Sequence, residues 1–135
     1  MPTEKEERLL REERVARLAT FSKNGKIHLI PVCYAYEGKH IYVGTSLDSQ
    51  KVKNLKRNSS VSLIVDRYYE DWSKLKGVMI QGSAEVIEGG EEFESAKKML
   101  YQKYPQYEEQ VPIREGESAI IKITVEKTLS WDYEG

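Results

Sequence analysis

The sequence predicts a small antiparallel β-barrel with a few helices packed around it, mainly β with some α. Three observations carry that expectation. About six short runs are rich in β-branched and aromatic residues, turn signals separate them in hairpin order and not in strict βαβ alternation, and 135 residues is the usual size of one domain with one core. No internal repeat, low-complexity segment or linker breaks the chain, so residues 1–135 are expected to form a single domain.

Thr3 followed by Glu6 reads as a capping box, and Leu9 and Leu10 among mixed charges give a short amphipathic helix over 3–13, expected to cover one barrel end. Val15 to Phe21 turns β-like, and Asn24-Gly25 predicts a type I′ hairpin turn. Ile27 to Tyr36 then reads as one long strand, turned by Glu37-Gly38 and answered by Ile41 to Thr45. Pro31 inside that strand lacks an N–H and is expected at an edge or a bulge, where a neighbouring backbone group is left free. Ser49 to Arg57 switches to helical spacing, with Val52 and Leu55 on one side and Lys51, Lys53, Lys56 and Arg57 around the other. Val61 to Asp66 alternates again, and Tyr68 to Gly77 reads as a loop or single helical turn. Val78 to Ile87 is another strand, with Gly82 at a bend or a close approach. Glu91 to Tyr104 is the strongest helix, striped by Phe93, Ala96, Met99 and Leu100 and ended by Pro105. Ala119 to Val125 and Leu129 to Tyr133 complete the strands.

Hydrophobic residues make up 39% and charged residues 32%, with 21 Lys+Arg against 22 Asp+Glu. That balance excludes a disordered tail and a strongly basic nucleic-acid binder. The one cysteine, Cys33, permits no internal disulfide, Met1 to Glu13 has no apolar signal core, and no run approaches the about 20 apolar residues that span a bilayer. A cytoplasmic location without membrane attachment is expected.

Chemistry enters where Tyr42 to Leu55 passes from a strand end through Thr45, Ser46 and Ser49 into a helix. First-turn amides of a helix lack intrahelical partners and carry partial positive charge, so a phosphate gains hydrogen bonds there. With Ser49 as cap, Lys51 falls in the first turn, where a cation is disfavoured by some tenths of a kcal/mol unless an anion joins it. The alternative is that Lys51 and Lys53 only solubilise a helix face. His28 and His40 lack metal-ligand spacing, so no metal site is expected. Cys33 has no CxxC partner and no evident base, and reads as a strand cysteine, while the adjacent acids Glu70 and Asp71 are expected to point apart in a loop. No G-x-S-x-G, P-loop or dinucleotide fingerprint is present, and no catalytic side chain is identified.

The order of a Gly25 hairpin, His28-Leu29-Ile30-Pro31-Val32, Tyr42 to Leu55 with Lys51, and Val61-Ser62-Leu63-Ile64-Val65 resembles the pyridoxamine phosphate oxidase-like family of flavin-binding split barrels, over nearly the whole chain. Asp66 to Lys76, Lys103-Tyr104-Pro105-Gln106-Tyr107 and Trp131 are closer to its branch of deazaflavin-dependent enzymes. The resemblance implies an antiparallel split β-barrel that binds FMN or, alternatively, an 8-hydroxy-5-deazaflavin coenzyme. It places the phosphate on Lys51, Thr45 and Ser46 with Lys53 nearby, and the ring along His28, Ile30, Pro31, Val32 and Cys33. It further implies a homodimer with cofactor sites at the subunit interface, Val78 and Trp131 belonging to the cofactor surroundings. Gln50 stands where an arginine often precedes the phosphate lysine, and Asp132-Tyr133 after Trp131 departs from the C-terminal pattern of the vitamin B6 oxidase. The expected function is an oxidoreductase moving a hydride to or from an unidentified small molecule. A non-catalytic flavin carrier or sensor is the alternative, and a nucleic-acid-binding barrel a third reading that the net charge of −1 opposes.

Overall fold

The computed structural model describes residues 2–134. Seven strands, β1 (Ala16–Phe21), β2 (Ile27–Val32), β3 (Ala35–Glu37), β4 (His40–Ser46), β5 (Ser60–Arg67), β6 (Lys76–Ile87) and β7 (Ser118–Asp132), form one sheet in the order β2-β1-β5-β6-β7-β4-β3. Every pairing is antiparallel. The two edge strands, β2 and β3, are joined only by Cys33 and Tyr34. The sheet curls until its ends approach without pairing, which makes it a split barrel.

Four helices decorate it: α1 (Glu4–Glu12), α2 (Gln50–Arg57), α3 (Glu91–Lys103) and α4 (Tyr107–Gln110), with a 3₁₀ turn over Trp72–Lys74. The capping box forms, since Thr3 Oγ1 accepts from Glu6 N–H and Glu6 accepts from Thr3 N–H at 2.7 Å. Leu9 and Leu10 enter the barrel interior from α1, where Leu18, Val43, Leu63, Val65, Ile80, Ile121 and Ile123 alternate inward from their strands. A second apolar cluster, Phe93, Ala96, Leu100, Tyr104, Ile113 and Ile120, packs α3 against the outside of β3, β4 and β7.

Three expectations change. The stretch from Ile27 to Tyr36 breaks at Cys33-Tyr34, because the Tyr34 side chain is wholly buried and its hydroxyl donates to Leu10 O at 2.6 Å, turning the chain from one edge of the sheet to the other. Asn24 keeps a negative φ, and only Gly25 is left-handed (φ 81°). Gly25 N–H donates to Ser22 O and Ser22 N–H to Lys26 O, so this hairpin is a turn closed by a glycine bulge and not type I′. The last two expected strands are one, β7, paired with β6 from Ile120 to Asp132. Pro31 lies on edge strand β2, and the β6–β7 register shifts at Gln81/Gly82, where a Cβ on Gly82 would collide with Thr124 O. No helix among the described residues is long and apolar enough to cross a membrane.

Candidate functional site

Where β4 ends, the chain makes a short turn, in which Ser49 N–H donates to Ser46 O at 3.1 Å, braced by Leu47 N–H donating at 3.0 Å to Glu117 O, in the turn just before β7. Ser49 then caps α2 by accepting from Val52 N–H at 3.4 Å. Ser46 Oγ donates to Asp48 at 2.5 Å, and that bond above all holds the Asp48 carboxyl below its ordinary range. The first turns of α1 and α3 each carry three glutamates, whereas that of α2 carries no acid and contains Lys51. Lys51 is half-buried and makes no hydrogen bond or ion pair with any described residue. Loss of water alone lowers its pKa. Lys56, by contrast, pairs with Glu88 at 2.9 Å.

Lys51 faces a cleft of about 610 Å³, within the usual range of ligand pockets. One wall is made by Pro31, Val32 and Cys33 from the end of β2, Gly44, Thr45 and Ser46 from β4, and Lys51. The opposite wall comes from the end of α3 through the start of β7, including Tyr104, Tyr107, Val111, Ile113, Arg114 and Ser118. Tyr107 stacks on Tyr101 at 5.9 Å and meets Tyr104 edge-on at 5.8 Å. Ile113 N–H donates to the Tyr101 hydroxyl at 2.9 Å, while the Ile113 side chain fills the space that a Cβ on Gly44 would occupy. Arg114 N–H donates to Ser118 Oγ at 3.0 Å, and its guanidinium lies 3.6 Å from Glu117. The cleft therefore sets a side that carries two tyrosines, apolar residues and the Arg114–Glu117 pair against one that carries Lys51 and the hydroxyls of Thr45 and Ser46.

Six residues singled out in the sequence, Pro31, Val32, Cys33, Thr45, Ser46 and Lys51, line this one cleft. His28 lies apart, in a shallow depression at the β1–β2 turn beside Lys23, Asn24 and Gln50, with Nδ1 buried and unpaired. Ile30 packs on the barrel core, Lys53 is exposed, and Val78 is 1% exposed within the core. Trp131 sits on Gly77 across the β6–β7 pair, occupying the place of the missing side chain. The acids of the 68–77 loop do part: Asp71 caps the 3₁₀ turn through Ser73, and Glu70 faces the Tyr68 hydroxyl. Sequence reasoning missed the far wall as a wall, although Tyr104 and Tyr107 flanking the helix-ending Pro105 mark where an aromatic cluster leaves α3. Among the described residues, no three of His, Cys, Asp or Glu come together as metal ligands.

No curated protein matches the chain at a significant level. Among solved structures it is similar to the conserved hypothetical protein Rv2991 from Mycobacterium tuberculosis, at 26% identity and a TM-score of 0.85, covering 99% of this chain and 87% of that one. An FAD-binding protein from Mesorhizobium loti shares 20% identity at a TM-score of 0.78, covering 96% of this chain and 94% of that one. An F420 reductase shares 18% at 0.76, covering 96% and 98%. The last two establish likeness of fold alone. A family profile described as pyridoxamine 5′-phosphate oxidase matches residues 2–132, nearly the whole chain, and with the split barrel already traced this protein belongs to that family.

Proposed function

We propose that the cleft binds FMN or a deazaflavin coenzyme and that the protein is an oxidoreductase transferring a hydride to or from a small molecule of unidentified structure. The carrying observation is Lys51, a half-buried ammonium without a partner, at the start of a helix whose first turn has no acid and beside the hydroxyls of Thr45 and Ser46. A phosphate there would meet the amine and the first-turn amides together. Pro31 to Cys33 on the edge strand and the aromatic far wall suit a planar ring. The ring would supply the hydride chemistry, and the chain's part would be to hold it, exclude water and orient the substrate.

A homodimer with its sites at the subunit interface accords with the outer sheet face. Across β2, β1, β5, β6 and β7 one register row reads Pro31, Arg17, Ile64, Met79 and Leu129, and the rows toward the hairpin add Leu29, Ile27 and Phe21. Ile27, Leu29 and Leu129 are 67%, 63% and 58% exposed, an apolar surface that a second copy would cover about a two-fold axis. Trp131 lies on the same face, one row further along. We place the protein in the cytosol, in keeping with its single exposed cysteine.

Two experiments test the reading. The absorption spectrum and mass of the small molecule released from purified protein identify FMN or deazaflavin. Lys51→Ala should raise the FMN dissociation constant by about tenfold to a hundredfold, the worth of a charged hydrogen bond, and leave the melting temperature of the ligand-free protein nearly unchanged. An unaltered dissociation constant would remove the assignment. A second reading, a carrier or sensor without turnover, is favoured by the cleft's lining, which among the described residues includes no histidine and a single carboxylate, Glu117, paired with Arg114. Reduced cofactor offered with a panel of acceptors separates the two, since a carrier gives binding without oxidation.

A further inference from the structure

Behind the aromatic wall lies a group that the proposed function does not use. Lys103 is the last residue of α3, and its Nζ is buried with no hydrogen-bond partner. It rests 3.9 Å from the Tyr34 ring centroid and 5.5 Å from that of Tyr104. The charged and titratable groups around it are Glu13 and Arg14 from the α1–β1 junction, Cys33 and Tyr34 from the β2–β3 junction, Tyr104, and Arg11 of α1 with Tyr36 of β3, which line a small surface pocket together with Lys103. Arg14 also stands 4.5 Å over Tyr104 and donates to Lys103 O at 2.6 Å, so it adds positive charge and does not neutralise the amine. Glu13, the one carboxylate in this set, is engaged by Arg67 at 2.6 Å.

Desolvation, with Arg14 second, brings the Lys103 pKa down to about 8, so at neutral pH the amine still carries most of its charge. A buried cation without an anion costs stability, and an apolar side chain would fill the same space more cheaply. Its field falls on the cleft, since Tyr104 and Cys33 are at once its neighbours and cleft lining. A positive charge held in low dielectric favours whichever form of a bound ring is negative.

We propose that Lys103 is a positioning charge that biases the cleft toward the anionic form of its ring ligand, which for FMN is the reduced form left after uptake of two electrons and one proton. The inference rests on the cofactor reading above. Its test is a set of anaerobic fluorescence titrations of wild type, Lys103→Met and Lys103→Arg, using oxidised FMN and FMN reduced by dithionite. Lys103→Met is expected to lose about tenfold of the wild-type preference for reduced over oxidised FMN, a fall of about 30 mV for a two-electron couple, while Lys103→Arg keeps it. If Lys103→Met fails to fold, the same ratio in wild type should fall between pH 7 and pH 9.5 and hold steady in Lys103→Arg. A purely structural lysine would leave the ratio unmoved in every case, which would overturn the inference. Wild type that binds neither form of FMN would instead sink the cofactor reading, and this inference with it.

Discussion

The barrel interior and the seam where the barrel is split hold the same sheet together by opposite means. Inside, Leu18, Leu63, Ile80, Ile121 and Ile123 are no more than 1% exposed and pack in one hydrophobic cluster, so cohesion there depends on volume and area removed from water. At the seam, Tyr34 N–H donates to the Tyr104 hydroxyl at 3.2 Å. That hydroxyl is placed to donate to Arg14 O at 2.8 Å or Tyr34 O at 3.1 Å, while the Tyr34 hydroxyl reaches α1 at Leu10 O. Two cations, Arg14 and Lys103, lie against these same rings. Where strands pair, the backbone satisfies itself and side chains need only pack. Where β2 and β3 fail to pair, side chains must supply the hydrogen bonds, and the cleft opens beside that failure.

The contrast predicts different costs. Ile121→Ala, at a fully buried position near the start of the longest strand, should lower unfolding free energy by about 2–5 kcal/mol in guanidinium titrations, from lost burial plus the cavity left behind. Tyr104→Phe removes no core volume but takes the acceptor from a buried N–H, and should cost about 1–3 kcal/mol. If Tyr104→Phe were neutral, the seam would be held by packing like the interior, and the distinction would fail.

A smaller effect separates the two regions by pH. Lys103 titrates near pH 8 when folded, against its ordinary 10.5 when unfolded. Between those values the unfolded chain binds the extra proton, so stability should rise with pH from about 8 and be lower, by the cost of the buried charge, below it. The buried tyrosines act in the other sense. Burial raises Tyr34, Tyr104 and Tyr107 above their ordinary 10.0, so above that pH the folded chain holds the extra protons and stability falls. Wild type should therefore be most stable near pH 9 to 10. Melting curves of Lys103→Met should lose most of the rising limb, retaining the part that desolvated Lys51 contributes, and keep the falling one, whereas Ile121→Ala should keep both.

The same contrast explains what was legible in the sequence. Period-two alternation in Val61 to Asp66, the helical spacing of Ser49 to Arg57 and the Thr3/Glu6 box are local patterns, and each became the element it suggested. The positive side of the cleft was legible for the same reason, because Thr45, Ser46 and Lys51 are close in sequence. The far wall was not. Tyr34 and Tyr104 are 70 residues apart and Arg14 and Tyr104 are 90 apart, and no local period records which rings meet. The break at Cys33-Tyr34 was hidden likewise, since the residue that turns the chain does so by bonding to α1.

The smallest expected effect tests whether α1 belongs to the seam or merely lies on it. Thr3→Ala removes the oxygen that accepts Glu6 N–H but keeps the backbone N–H that donates to Glu6, whose carboxyl is held below its ordinary range by hydrogen bonds from Ser130 and Thr3 despite its burial. Loss of such a cap costs about 1 kcal/mol if the helix folds with the rest of the protein, and nothing if it frays independently. Because Leu10 O accepts the Tyr34 hydroxyl, α1 is tied to the chain's turn from β2 to β3. Thr3→Ala should then lower the global unfolding free energy by that amount and speed amide exchange at Tyr34 as well as at Glu6. Faster exchange confined to residues 4–12 would show that the seam closes without α1, leaving the Tyr104 hydroxyl and its two backbone partners to hold it.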